Sequence, residues 1–246
     1  MTMSVSVVMA VYNGHDFLAQ QLQSVHAQLL AGDELLIVDD ASTDGCLEVI
    51  RPAIHSLVRI LVNDRNRGVI RSFERGLAAA RNEVVFLCDQ DDVWLPGKRA
   101  AFAAEFALDP AVGVVISDAE IIDQNGTVVS RSFMRTRGGF KPGVFDTLWK
   151  NRYLGCAMAV RRSVLRIALP FPAGLPMHDM WLGVIGAMVG RVSYISQPYL
   201  QYRRHDRNAT PVCSRSSLLQ MLWWRATLCA RLMQRVLLAR FRSRDS

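Results

Sequence analysis

Short apolar runs alternate with segments of helical periodicity through the first third of this chain. The predicted strands are Val5–Val11, Leu35–Asp39, Arg59–Val62 and Val84–Cys88, and the predicted helices lie near Phe17–Leu30, Cys46–Ile54 and Ile70–Ala80. The strands are apolar on both faces, as buried parallel strands are. The alternation therefore predicts an α/β fold with a mostly parallel central sheet and helices on both faces.

After Asp92 the alternation gives way to a pattern that predicts a mixed sheet. The segments expected there are a helix near Gly97–Leu108, a strand Val112–Ser117, a hairpin turn at Gln124–Gly126, a helix near Phe145–Lys150, a strand Gly155–Val160, a helix near Asp179–Val189 and a strand Val192–Ile195. With 246 residues, half of them hydrophobic, the chain can bury the core of one domain of ordinary size. The polar stretch 206–217 resembles a linker, so we expect a main domain over residues 1–208 and a tail over 209–246.

The net charge of +7 is concentrated in the tail. Residues 213–246 contain seven arginines and one acid, Asp245, which gives +6 there and leaves +1 for the rest of the chain. The main domain shows no interleaved aromatic and basic residues, no zinc-finger pattern and no basic-zipper pattern. Nucleic acid is therefore not an expected partner.

Cysteine usage and hydropathy bear on the compartment. The five cysteines are odd in number and form no C-x-x-C pair, which is typical of a reduced protein without structural zinc. The chain runs from Met1 into a strand pattern without the features of a signal peptide. The apolar, uncharged stretch Met180–Gly190 is far shorter than the ~20 apolar residues of a membrane span. We expect a cytoplasmic protein.

Polar and acidic residues follow three of the predicted strands, at the point where each strand ends. In an open α/β sheet, ligands bind beyond the carboxyl ends of the strands, so these residues are expected to share one cleft. Three negative charges at one sheet edge are unfavourable unless a cation offsets them, and hard oxygen ligands suit Mg²⁺ or Mn²⁺. The residues concerned are Tyr12, Asn13, Asp39, Asp40, Asp89, Asp91 and Asp92.

Simpler explanations exist for both acidic segments. Ser42 or Thr43, with Asp44 and Glu48, would make a reasonable helix N-terminus, and the cluster Asp89–Asp92 could be a solvated turn. Neither explains why several carboxylates sit directly on buried strands. The chain contains no G-x-G-x-x-G after the first strand and no P-loop motif, which disfavours dinucleotide dehydrogenases and P-loop enzymes.

Four segments in this order resemble the family-two glycosyltransferases of GT-A fold, specifically the bacterial rhamnosyltransferase-like branch that builds surface polysaccharide such as O-antigen. They are residues 5–14, 35–44, 66–68 and 87–94, the last followed by Pro96, and the resemblance covers about residues 4–208. It implies a metal-dependent, inverting transfer of a sugar, with rhamnose as one candidate, from a nucleotide-diphosphate donor to a hydroxyl of a glycan or lipid-linked saccharide.

The resemblance also implies a role for individual residues. Asp89 and Asp91 match the D-x-D pair, in which Asp91 ligates Mg²⁺ or Mn²⁺ and Asp89 lies near the ribose and sugar or joins the metal site. The remaining matched positions would form the nucleotide pocket or shape the loops around it: Ala10, Tyr12, Asn13, Asp39, Asp40, Asn66 and Gly68.

Two later segments complete the implied site. His178-Asp179 resembles the motif whose carboxylate is the catalytic base, although Asp179 would also suit a helix N-cap. In the segment from Tyr202 to Asn208, His205 would complete the metal site or contact the pyrophosphate, with Arg203 or Arg204 nearby. A lone histidine is more often structural. Met180 and Trp181 stand where the family often has two aromatics, which leaves the acceptor pocket open.

The sequence allows more than one interpretation of the arginine-rich tail and of the overall function. The tail is helix-prone with Trp223 and Trp224, and would lie on the inner face of the cytoplasmic membrane, on the main domain or on a partner subunit. The alternatives to a transferase are a sugar nucleotidyltransferase, which would need a glycine-rich basic loop after the first strand, and a non-catalytic scaffold that binds nucleotide sugars.

Overall fold

The structure, a computed structural model, describes residues 3–50 and 57–205, and Arg231, Leu232 and Arg235 in the tail. Its strands are β1 Val5–Val11, β2 Glu34–Asp39, β3 Val58–Val62, β4 Val84–Asp89, β5 Val93–Trp94, β6 Val112–Ile122, β7 Val128–Ser130, β8 Met158–Arg161 and β9 Arg191–Arg203. Its helices are α1 His15–His26, α2 Cys46–Ile50, α3 Val69–Ala79, α4 Lys98–Leu108, α5 Phe133–Thr136, α6 Val144–Trp149, α7 Arg162–Ala168 and α8 His178–Val189.

These strands form one mixed sheet in the order β3-β2-β1-β4-β8-β6-β9-β5, with β7 paired to β6. The strands β1 to β4 are mutually parallel where they pair, whereas β8 runs antiparallel to both β4 and β6. The mixed, mostly parallel α/β architecture expected from the sequence is therefore confirmed. The first four strands end at one edge, which brings their carboxyl ends together.

Helix α3 shows how closely the layers pack. Gly76 on this helix lies directly against Val8 of β1 and near Val38 of β2, so that a Cβ atom there would overlap Val8. The facing strands are fully buried and rich in β-branched residues, which pack well on a pleated surface. The missing side chain lets the helix rest directly on the sheet.

The second half of the fold departs most from the sequence expectations. β9 has 13 residues, whereas only Val192–Ile195 was predicted, because Gln197-Pro198 interrupts its apolar pattern. Pairing with β6 continues across that interruption through register shifts near Asp118. Helices α5 and α7 were not predicted, and both are short segments packed on larger elements. The expected hairpin at Gln124–Gly126 joins β6 and β7.

Most of the predicted tail lies outside the described residues. Leu232 is buried in the core, and the Arg235 guanidinium donates hydrogen bonds to the carbonyl oxygens of Leu169 and Pro170 at 3.0 and 2.6 Å. Where the tail is described, it therefore contacts the main domain. Within the described part of the chain, no helix combines the length and the hydropathy that crossing a bilayer requires.

Candidate functional site

The ends of β1 and β4 are joined by Gln90. Ala10 of β1 lies opposite Asp89 of β4 in the parallel register. Just beyond this pair, the Tyr12 backbone N–H donates to Gln90 Oε1 at 2.7 Å, and Gln90 Nε2 donates to the Tyr12 carbonyl at 2.9 Å. Tyr12 is 45 % exposed, so its side chain is accessible to a planar ligand such as a nucleotide base.

A second set of hydrogen bonds joins the loops after β1 and β2. Asn13 has a left-handed backbone (φ 48°), its side-chain oxygen accepts from Thr43 N at 2.9 Å, and its own N–H donates to Ser42 Oγ at 3.0 Å. Asp39, opposite Val11, is buried beneath this junction. Helix capping explains Asp44, which accepts from the N–H of Cys46 at the start of α2, but it does not account for Asp39.

Asp40 holds the loop that contains Asn66 and Gly68. One carboxylate oxygen accepts from Asn63 Nδ2 (2.6 Å) and Arg67 N (2.9 Å), and the other from Gly68 N (2.8 Å). The Asn66 side chain also accepts from Gly68 N, and Gly68 has a φ of 83° that favours glycine. With both of its oxygens bonded to the protein, Asp40 fixes the conformation of the loop around Asn66 and Gly68.

Three aspartates crowd the end of β4. Burial, followed by the negative charges of Asp91 and Asp179, raises the pKa of Asp89 to about 7. Burial and the charges of Asp91 and Asp89 also raise the pKa of Asp92. One oxygen of Asp92 accepts from the backbone N–H of Arg203 at 3.0 Å, and the other is buried without a hydrogen-bond partner among the described residues. The site therefore contains excess negative charge.

His205 and Asp91 meet although 114 residues separate them in the chain. His205 Nε2 lies 2.8 Å from Asp91 Oδ2, and the imidazole stacks on Phe17 of α1 with 4.9 Å between ring centroids. A carboxylate and an imidazole from separate elements are thereby held at one point. Their chemistry is that of ligands to a divalent cation.

Arg203 holds the backbone of Asp91 in place. Its Nε donates to the Asp91 carbonyl at 2.8 Å and its Nη2 to Gln20 Oε1 at 2.7 Å, while Nη1 faces the carbonyls of Asp123 and Gln124. The residue is only 3 % exposed. The sequence had assigned Arg203 to ligand binding. In the structure the Arg203 side chain lies inside the protein, and each of its guanidinium nitrogens is directed at a protein oxygen rather than at a ligand site.

Asp179 lies in the first turn of α8 and faces the aspartate cluster. It is 4 % exposed, accepts from Asn151 Nδ2 at 3.3 Å, and contributes to the raised pKa of Asp89. Burial raises the pKa of Asp179 itself to about 6. The N-cap position belongs to Met177, which makes no side-chain cap, so the N-cap alternative does not account for Asp179. Its neighbour His178 stacks on Phe73 with 4.4 Å between centroids.

Sequence reasoning did not anticipate Lys98, a buried cation on α4 whose charge acts on these carboxylates. Its side chain is fully buried, its Nζ donates to the Cys156 carbonyl at 2.6 Å and lies 4.5 Å from the Trp94 ring centre. Burial lowers its pKa to about 8, and its charge acts on both Asp89 and Asp92. A signal was present in the sequence, because Lys98 shares a helix face with the apolar residues Phe102 and Phe106.

The donor set fits a hard divalent cation. The ligand atoms of Asp89, Asp92 and Cys156 lie within 4.8 Å of one another, but burial raises the pKa of that thiol, and a protonated thiol is a poor ligand for Mg²⁺ or Mn²⁺. Asp91 and His205, which contact each other directly, offer the better combination of oxygen and nitrogen ligands. A bound cation would also offset the crowding of negative charge described above.

Solved structures of other proteins share the fold of this chain. Residues 1–349 of S. aureus TarS, solved with UDP-GlcNAc, are 19 % identical, with a TM-score of 0.72 over 92 % of this chain and 66 % of that chain. The mannosyltransferase PcManGT of Pyrobaculum calidifontis, solved with GDP-Man and Mn²⁺, gives a TM-score of 0.60 at 21 % identity, over 83 % of this chain and 58 % of that chain. This is the GT-A architecture expected from the sequence.

Sequence comparisons give relatives and a family. An uncharacterized glycosyltransferase of Nostoc sp. is 29 % identical over 84 % of this chain and 66 % of its own length. WfgD of Escherichia coli, a UDP-Glc:α-D-GlcNAc-diphosphoundecaprenol β-1,3-glucosyltransferase, is 25 % identical over 74 % of this chain and 69 % of its own. The chain thus spans about two thirds of these relatives. Because the profile of "Glycosyl transferase family 2" matches residues 6–167, the chain belongs to that family.

Proposed function

We propose that this protein is an inverting glycosyltransferase that moves a sugar from a nucleotide-diphosphate donor to a hydroxyl of a glycan or lipid-linked saccharide. The observation that carries the proposal is the position of Asp179. This buried carboxylate, with a pKa of about 6, faces the Asp89–Asp92 cluster from a separate helix. A base placed opposite a diphosphate-binding cluster is what inversion at an anomeric carbon requires.

The donor would lie across the ends of β1, β2 and β4. The exposed ring of Tyr12 and the buried carboxylate of Asp39 are the candidates for holding the base and ribose, and Asp89 lies between them and the transferred sugar. Asp40, by holding Asn66 and Gly68, keeps the adjoining loop in shape before the donor arrives. Preorganisation of this kind lowers the cost of ordering the loop on binding.

In the reaction, the acceptor oxygen forms a bond to the anomeric carbon while the bond from that carbon to the diphosphate breaks. The proton of the acceptor hydroxyl passes to Asp179, whose raised pKa makes it a competent base near neutral pH. Asp91 and His205, with Asp89, would hold Mg²⁺ or Mn²⁺. Such a cation supplies positive charge that offsets the negative charge of the departing diphosphate.

The proposal also covers the donor sugar, the product, the acceptor and the location in the cell. Rhamnose carried on dTDP is the candidate donor sugar, from the branch that the sequence resembles, and surface polysaccharide, including O-antigen, is the candidate product. The activity for which WfgD is named, on a diphosphoundecaprenol acceptor, supports a lipid-linked acceptor and a place at the cytoplasmic face of the membrane. A screen of dTDP-rhamnose, UDP-glucose, UDP-GlcNAc and GDP-mannose for thermal stabilisation with Mn²⁺ would identify the donor.

The catalytic assignment is tested with Asp179→Asn. The substitution keeps the size of the side chain but removes the base, so we expect transfer and Mn²⁺-dependent donor hydrolysis to fall at least ~100-fold. Glu83→Gln, an exposed carboxylate at the opposite end of β4, is the matched control and should keep full activity. Unchanged turnover in Asp179→Asn, with a normal thermal transition, would contradict the proposed role.

A further inference from the structure

A basic cavity beside the proposed active site has no role in the mechanism described so far. It has a volume of about 290 Å³. Its walls include the aromatic rings of Phe133 and Tyr202 and three cationic side chains: Arg137, Lys150 and Arg204. At ~30 Å³ of liquid volume per water molecule, this space corresponds to roughly ten waters, which is ample for a diphosphate group.

Aromatic rings and a backbone carbonyl position the three cations. The Arg137 guanidinium lies 5.2 Å from the ring centre of Phe133, and that of Arg204 lies 5.6 Å from the ring centre of Tyr202. Lys150 Nζ donates to the carbonyl of Arg137 at 2.9 Å, which brings its charge to the same wall. Stacked guanidinium groups are ordered before a ligand arrives and match the geometry of phosphate oxygens.

The charges in this cavity lack acidic partners among the described residues. Exposed cations elsewhere, such as Arg67 and Arg191, pair with a nearby aspartate. No ion pair to a described carboxylate is formed by Arg137, Lys150 or Arg204. Three converging positive charges are unfavourable unless an anion compensates them, so the cavity is complementary to an anionic group.

Two segments of chain connect the cavity to the catalytic groups. Lys150 precedes Asn151, which donates to Asp179, and Arg204 precedes His205, which contacts Asp91. Burial raises the pKa of Tyr202, and the negative charge of Asp92 adds a smaller contribution, which places the cavity wall within electrostatic reach of the cluster. Tyr202 pairs with Ile121 on β6, three strands away from β1, where the nucleotide is expected to bind.

We infer that this cavity binds the phosphate or diphosphate group of a substrate. The inference rests on the proposed function and refines it. The position at β6 and β9, away from Tyr12 and Asp39, favours a phosphoryl group carried by the acceptor over the diphosphate of the donor. An acceptor anchored there by its phosphates would present its sugar hydroxyl toward Asp179.

The first experiment measures the binding of inorganic pyrophosphate to the full chain by isothermal titration calorimetry in EDTA, which removes any divalent cation. Wild type should bind, and the double variant Arg137→Gln/Arg204→Gln should lose at least about tenfold in affinity, because two charge-assisted contacts are removed. Arg135→Gln, an exposed arginine on α5 two residues before Arg137, is the matched control. Equal affinity in wild type and double variant, or no binding to wild type, would overturn the inference.

Two further variants distinguish a loss of pyrophosphate binding from a loss of folding. Lys150→Gln changes an exposed side chain and should weaken pyrophosphate binding without altering the thermal transition. Arg204→Lys keeps the charge and should restore a large part of the affinity lost in Arg204→Gln. If Lys150→Gln binds like wild type and Arg204→Lys restores nothing, the arginines act on folding and the inference fails.

The second experiment distinguishes the two sources of phosphate. UDP, GDP and dTDP are titrated with Mn²⁺ into wild type and the double variant. Unchanged nucleotide affinity together with weakened pyrophosphate binding assigns the cavity to the acceptor, and parallel weakening of both assigns it to the donor diphosphate. Asp179→Asn should bind pyrophosphate normally. Full turnover in that variant would refute the proposed function alone, because the pyrophosphate result does not depend on it.

Discussion

Burial of the Asp179 carboxylate determines its affinity for a proton. Its pKa is raised to about 6, because taking a carboxylate out of water disfavours the charged form more than the hydrogen bonds from Asn151 and the helix backbone favour it. A base with this pKa is deprotonated at neutral pH and still accepts a proton effectively. The residue thus combines the two properties that the proposed mechanism needs.

A pH profile follows from this value. Because the base must be deprotonated, kcat/KM should be high above pH 6 and should fall about tenfold per pH unit as the pH drops below the pKa of Asp179. A bound divalent cation favours the carboxylate, so with saturating Mn²⁺ the midpoint should lie at or below about 6. The measurement is donor hydrolysis or transfer between pH 4.5 and 8. Activity that increases from pH 7 to pH 5 would exclude Asp179 as the base.

Lys98 makes the opposite contribution, because it is a buried positive charge beside a cluster of negative ones. Replacement by Met removes the charge and the hydrogen bond to Cys156, so we expect the metal-free protein to lose ~1–3 kcal/mol of unfolding free energy. The same loss of positive charge should strengthen cation binding and increase the Mn²⁺-induced rise in Tm. Lys141→Met, an exposed lysine, is the control. A smaller Mn²⁺ shift in Lys98→Met would contradict this account.

At the scale of elements, the contact between α3 and the sheet tests the packing. In a helix that faced solvent, Gly→Ala would stabilise by ~1 kcal/mol. Gly76 instead lies on Val8, so Gly76→Ala should destabilise by ~1–3 kcal/mol through overpacking. Urea denaturation gives the sign directly. A stabilised variant would show that α3 does not rest on β1 as described.

Elements of the first half were predictable because each carries its own pattern. Residues 7–11 and 84–88 are apolar throughout, and the hydrophobic period is a local property of the chain. β9 was underestimated because its continuation past Pro198 depends on pairing with β6 and not on its own residues. The short helix α7 is likewise stabilised by contact with larger elements rather than by a pattern of its own.

For the whole molecule, metal binding and folding are linked, because the proposed ligands come from separate parts of the chain. A cation that binds only the folded state stabilises by ~2.7 kcal/mol at 100 times its Kd, which corresponds to roughly 5–10 °C in Tm for a protein of this size. We expect Mn²⁺ to raise the Tm in this range, EDTA to reverse the rise and Asp91→Asn to abolish most of it. Glu83→Gln should respond like wild type, and an undiminished shift in Asp91→Asn would exclude Asp91 as a ligand.

The sequence alone determined the α/β class, the strand ends and the identity of the acidic residues there, because these depend on local periodicity and on motifs within a few residues. Only the tertiary structure decided that His205 meets Asp91 and that Arg203 is internal while Arg204 lines a cavity. It also decided that the buried charge of Lys98 acts on the carboxylates. Such contacts arise where distant segments pack together. They follow from the topology of the sheet, to which every strand contributes and which no single segment encodes.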